Sequence, residues 1–119
     1  MSETETKPEN LSFLDFIKFD LRTGQILSVE AIPKSKKLVK LEVDFGTTVG
    51  KRTILAGIAQ SWTEGRVIVG QQVVAVLNLA PREMMGLMSH GMLLATHDAE
   101  DKVWLLNPGG PILPGTEVG

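Results

Sequence analysis

With 119 residues, 43% of them hydrophobic and 22% charged, the chain is sized and composed for one globular domain and lies far from collagenous, coiled-coil or low-complexity compositions. It has no cysteine, which excludes both a disulfide framework and a thiolate metal site. A formal net charge of −2 argues against an indiscriminate DNA-coating protein, which would be basic.

The charge is unevenly placed. Residues 34–52 hold six basic side chains (Lys34, Lys36, Lys37, Lys40, Lys51 and Arg52) against Glu42 and Asp44, so this segment is the candidate electrostatic footprint. Residues 1–10 carry Glu3, Glu5 and Glu9 against Lys7 and read as a flexible tail, without the basic start and apolar stretch of a secretory signal. A cytoplasmic location is therefore expected, with no membrane partner: the longest apolar run, residues 73–77 with Leu79, is strand-sized. Residues 11–119 are expected to form the folded domain.

Ser12-Phe13-Leu14-Asp15 has the form of a capping box, and Phe13, Phe16 and Ile17 recur at helical spacing, which predicts about two turns of helix. So short a helix cannot persist alone in water, so its apolar face must dock on something. The first strand is expected over residues 21–29. The second is the clearest: Val39, Leu41, Val43 and Phe45 alternate with Lys40, Glu42 and Asp44, the period of a strand with one face buried. Residues 46–50 read as a hairpin loop, residues 53–56 as the returning strand, and Ile58, Ala59 and Trp62 as a short helix or turn closed by Gly65. Residues 72–79 are Val-rich on both faces, as in a strand covered on each side. An apolar run over residues 87–95 and a short strand over residues 103–106 complete a count of five or six short strands. That count suits a small barrel, in which closure hides the sheet edges, although an SH3-like barrel or a sandwich has a similar spacing.

Catalytic chemistry is not visible. There is no nucleophile elbow, and His90 and His97 are the two imidazoles, spaced unlike zinc ligands; both are expected at or near the surface. Residues 46–52 superficially match a phosphate loop but are one residue short between glycines and place Arg52 where the Mg-binding hydroxyl belongs. Asp98, Glu100 and Asp101 read as a solvated turn, and Met84, Met85, Met88 and Met92 read first as core filler.

Three stretches taken together carry a family likeness. The first is Phe16-Ile17-Lys18-Phe19-Asp20-Leu21-Arg22-Thr23-Gly24; the second runs from Lys36-Lys37-Leu38 through Val43-Asp44-Phe45-Gly46 to Ile54-Leu55-Ala56-Gly57-Ile58-Ala59. The third joins Asn78-Leu79-Ala80-Pro81-Arg82 and Gly86 to Ser89-His90-Gly91-Met92. Over nearly the whole chain they resemble the tRNA-binding domain family: the C-terminal appendage or β-subunit of methionyl-tRNA synthetases, free-standing bacterial tRNA-binding proteins and the endothelial monocyte-activating polypeptide module. The related CsaA chaperones share the fold.

The resemblance implies an all-β, five-stranded OB-fold barrel with a short N-terminal helix and a C-terminal extension. It implies a non-catalytic tRNA-binding module, free-standing or acting in trans with methionyl-tRNA synthetase, needing no cofactor. The alternative is a CsaA-like, secretion-related chaperone for unfolded polypeptide, which the thinned basic residues and the methionine cluster favour. Carried over by position, Lys37, Asn78, Arg82, Ser89 and Met92 are candidate RNA-binding residues, the cations for phosphate, the amide and hydroxyl for sugar or base edges, and the thioether for packing on a base. Ala80, Glu83 and Met85 depart from positions that are often basic in the family, and Lys36, Lys40, Lys51 and Arg52 are expected to compensate. A homodimer is also expected, because the short helix and the apolar tail containing Ile112, Leu113 and Val118 both need a surface to rest on.

Overall fold

A computed structural model of the chain describes residues 10–63 and 68–119. The tail expected over residues 1–10 lies outside them apart from Asn10, as does the closing turn at Gly65. The elements are α1 (Phe13–Phe16), β1 (Leu21–Ala31), β2 (Val39–Asp44), α2 (Gly46–Val49), β3 (Lys51–Ala56), α3 (Ala59–Thr63), β4 (Gln72–Val76), β5 (Arg82–Met84), β6 (Leu87–Ser89), β7 (Met92–Leu93), β8 (Ala95–His97) and β9 (Val103–Leu105). β3, β2, β1, β4 and β7, in that order, form a curled antiparallel five-stranded sheet, an OB-like half-barrel; β5–β6 and β8–β9 are separate two-stranded ribbons.

The alternation in β2 does what its period requires. Val39, Leu41, Val43 and Phe45 are completely buried, while Lys40, Glu42 and Asp44 stay half-buried on the other face. Together with Ile26, Ile54 and Val73 they make the heart of the core, each such side chain contributing about 1.5–3 kcal/mol of burial. Gly24 permits this packing, because a Cβ there would fall 2.5 Å from the Phe45 ring. β1 serves two partners: residues 21–25 pair with β4 and residues 25–31 with β2, with a register shift between Ile26 and Ser28. Such a bulge bends the strand so that one strand can belong to both halves of the curl.

The curl is bridged across its open side by residues 89–91. The His90 amide donates to the Thr53 carbonyl at 2.9 Å and the Leu55 amide donates to the Ser89 hydroxyl at 3.0 Å, tying this segment to the free edge of β3. Gly91 is required where the segment crosses the core: its φ is +152° and a Cβ would stand 3.1 Å from Ile54 Cδ1. The stretch that carried part of the family likeness is thus a closing device of the barrel, which supplies the otherwise unpaired edge groups with partners.

Several expectations are corrected in detail. α1 is one turn rather than two; the Asp15 amide donates to the Ser12 hydroxyl at 3.1 Å, as a cap should. The apolar run over residues 87–95 breaks into β6, β7 and β8, because the turn at residues 90–91 separates a ribbon strand from a sheet strand. Met85, Met88 and Met92 are 51%, 43% and 48% exposed and so are surface rather than core filler. The tail rests on its own barrel: the Thr23 and Val118 amides donate to Thr116 and Leu21 carbonyls at 2.9 Å each, and the Gly115 amide donates to the Thr23 carbonyl at 2.7 Å. It extends the edge of β1 where β2 has ended, crossing the β2–α2 junction where a Cβ on Gly46 would strike the Pro114 carbonyl. The expected hairpin at residues 46–50 is present, its loop wound into the single turn of α2 between antiparallel β2 and β3. Among the described residues no helix is long and apolar enough to cross a membrane.

Candidate functional site

The β5–β6 ribbon lies beside the end of β3, and the space between them is a groove of about 290 Å³. Met85 and Gly86, with φ of +52° and +78°, are the two central residues of the ribbon's turn, a geometry that suits the twist of a tight hairpin. Leu55 forms part of the groove floor, opposite Lys40 in register and away from the core cluster. Leu38, Leu79, Met84 and Met92 supply further apolar surface, and Arg82 supplies a cation on the wall. Arg82 is exposed and stands opposite Ser89 in the ribbon.

Two other depressions adjoin this groove. One, of about 170 Å³, is lined by Lys36, Lys37, Gln60, His97 and Asp101 and shares Gly57 with the groove. The Ser35 hydroxyl accepts the Leu38 amide at 3.0 Å and the Lys37 carbonyl accepts the Ala59 amide at 3.0 Å, so the segment is pinned by its backbone while both lysine side chains stay exposed. The other, of about 570 Å³, is lined by Glu42, Lys51, Arg52, Thr53 and His90 and shares Leu79 with the groove. Linked through Gly57 and Leu79, the three make a band whose groove is mostly apolar apart from Arg82 and whose two depressions carry lysine and arginine.

The expected residues divide among these places. Arg82, Ser89 and Met92 line the groove, Lys36 and Lys37 the first depression, and Arg52 the second. Lys40 lies on the outer face of β2 with its ammonium 3.7 Å from Glu30, an exposed pair of small worth that leaves it exchangeable. Ser89 is 3% exposed, and its hydroxyl, besides accepting from Leu55, donates to the Gly91 carbonyl at 3.1 Å. Asn78 lines none of the three: its Oδ1 accepts the Asp20 amide at 2.8 Å and its Nδ2 donates to the Lys18 carbonyl at 2.6 Å, clamping the α1–β1 junction to the end of β4. Leu38, Leu55 and Leu79 escaped sequence reasoning because nothing in a period-2 pattern says that a leucine off the core face will floor a groove. His90 and His97 are exposed, as expected, and residues 98–102 form the turn between β8 and β9.

Comparison with known proteins agrees with the fold. Residues 21–117 match the family model described as "Putative tRNA binding domain". The whole chain is 40% identical over 121 aligned residues to the methionine--tRNA ligase of Cytophaga hutchinsonii, spanning 17% of that protein's length. Among solved structures, a MetRS related protein from Pyrococcus horikoshii superposes with a TM-score of 0.82 at 33% identity, with 94% of this chain and 100% of that one covered. The chaperone CsaA of Bacillus anthracis superposes with a TM-score of 0.78 at 31% identity, covering 92% of this chain and 99% of that one.

Proposed function

Since this chain belongs to the tRNA-binding domain family, we propose that it is a non-catalytic module that holds tRNA on the band described above, free-standing or in trans with a methionyl-tRNA synthetase, in the cytoplasm. The observation that carries the reading is the groove with Arg82, Met84 and Met92, which shares Gly57 with the Lys36–Lys37 depression. Cations beside an apolar cleft suit RNA, whose phosphates and unstacked bases are accessible while the deep groove of its stems is not. The domain of residues 11–119 presents the site, with Lys36, Lys37, Arg52 and Arg82 toward phosphates and Met92 against a base. Asn78 and Ser89 act by positioning, since their polar atoms already have protein partners. The partnership with a synthetase draws support from the likeness to the MetRS related protein over that chain's full length.

A gel-shift panel of bulk tRNA, duplex DNA and an unfolded polypeptide tests this. Preferential binding of tRNA is expected, with a slope of log K against log salt of roughly −2 to −3 if about three phosphates are neutralised. Equal retention of duplex DNA sinks the reading. A second reading, a CsaA-like chaperone, is favoured by the exposure of Leu79, Met85, Met88 and Met92 around the groove, since methionine-rich surfaces adapt to varied apolar peptides. It prevails if the unfolded polypeptide shifts and tRNA does not.

A further inference from the structure

The depression beyond Leu79 carries three donors that the family-matched positions leave unexplained in combination: Lys51, Arg52 and His90. Arg52 is held in place by main chain, its Nη1 donating to the Leu77 carbonyl at 2.8 Å and the His90 carbonyl at 3.3 Å. Neutral carbonyls orient a guanidinium without cancelling its charge. Arg22, by contrast, lies 2.8 Å from Asp20 and 3.7 Å from Glu117, and its charge is spent within the fold. Among the described residues neither Arg52 nor Lys51 has a carboxylate within ion-pair distance. Glu42, the carboxylate on the same wall, accepts the Thr53 hydroxyl at 3.1 Å. The wall therefore presents two fixed-charge cations against one carboxylate, with the His90 ring as a further hydrogen-bond donor.

Leu79 lines both this depression and the groove, so the two adjoin at a single side chain. We infer that Lys51, Arg52 and His90 seat one backbone phosphate of an unpaired nucleotide whose base lies in the adjoining groove against Met84 and Met92. This rests on the RNA-binding reading and adds to it a requirement for a single-stranded element. A base within an A-form stem is stacked and paired and cannot enter a cleft, whereas a loop or end nucleotide can be splayed into it.

The test is fluorescence anisotropy of the full chain with bulk tRNA, a short oligouridylate and a blunt-ended RNA duplex as probes. The oligouridylate is expected to compete with tRNA, and the duplex to compete at least roughly tenfold less well. Lys51→Ala should weaken oligouridylate and tRNA by roughly fivefold and make the salt slope shallower by about 0.7, the loss of one phosphate contact to a single strand. Glu42→Gln keeps an oxygen for Thr53 and removes the repelling charge, so it should tighten binding about twofold. A purely structural role for this wall would not produce opposite effects from the two variants. If the wild type binds tRNA but Lys51→Ala leaves the slope unchanged, or the duplex competes as well as the single strand, the phosphate seat is wrong and the RNA reading survives. If the wild type binds no tRNA, both fall.

Discussion

The Ser89 hydroxyl accepts the Leu55 amide at 3.0 Å from a side chain that is only 3% exposed, so one hydroxyl satisfies the edge of β3 and forms part of the groove wall. Removing it strands a buried amide, which costs about 1–3 kcal/mol. Ser89→Ala is expected to lower the urea unfolding free energy by that amount, and to weaken RNA binding only where the folded fraction falls. A lost affinity at full stability would instead make Ser89 a direct RNA contact.

Met85 holds a φ of +52° while its side chain is 51% exposed. A left-handed backbone is unfavourable for methionine and natural for asparagine or glycine, so fold stability alone does not explain the residue. Met85→Asn is expected to raise stability by about 0.5–1 kcal/mol. If the apolar tip serves the ligand, the same variant binds tRNA or peptide less well; unchanged binding of both would leave the methionine without a function at this position.

Lys37 lines the lysine-bearing depression and Arg82 the groove, and Gly57 lines both. Both are exposed, so alanine at either should keep thermal stability within about 0.5 kcal/mol while weakening RNA binding. The double variant should show a salt slope shallower by about 1.4–1.8 if both reach phosphates. Unchanged affinity in the double variant places the site elsewhere.

The barrel was legible where a single physical rule decides. The strict alternation of β2 marked its buried face, and the Val-rich β4 was read correctly as covered on both sides, with residues 73–77 all buried. The ribbons were not legible, because residues 87–95 are mostly apolar and the break at Ser89-His90-Gly91 reveals its role only through the tertiary demand for a closing segment. The candidate site was half legible: charge marked Lys36, Lys37 and Arg52, which line its depressions, but Asn78 and Ser89 are the kind of residue whose polar atoms serve either the fold or a ligand. Which they serve depends on partners 58 and 34 residues away, Asp20 and Leu55, that no local pattern reveals.

Asp98 organises the β8–β9 turn. The Trp104 indole N–H donated at 2.9 Å, with the Lys102 and Glu100 amides at 3.0 and 2.9 Å, holds its carboxyl below the usual aspartate value of 3.8. Because the folded value is depressed, the stabilisation is present above the ordinary carboxylate range and is lost as the pH falls through the lower folded value. The Trp104 indole resonance, assigned by comparison with Trp62→Phe, should hold steady from neutral pH down through the ordinary carboxylate range and move only below it. Movement centred near neutrality would assign the transition to another group, and Asp98→Ala should remove it altogether.

A homodimer is expected from an imbalance at the N-terminus. α1 buries none of its residues, and Leu11, Phe13, Leu14, Phe16, Ile17 and Phe19 are all between 43% and 73% exposed. A single turn of helix has no stability of its own, so a surface must cover it. The C-terminal tail, although bonded to its own β1, leaves Val118 beside Phe13, Phe16 and Ile17 in a depression of about 450 Å³. Contiguous exposed apolar patches mark interaction surfaces, and a two-fold axis through this one would let each helix cover the other protomer's depression. Sedimentation equilibrium at micromolar concentration should give twice 12.9 kDa, and a mass near 12.9 kDa would refute the dimer. Phe16→Asp should yield a folded monomer, because no core residue depends on α1. It should also weaken tRNA binding more than the loss of any one cation, since pairing two modest bands raises their effective concentration on one RNA without adding contacts. An unchanged tRNA affinity in that monomer would mean that each protomer binds alone.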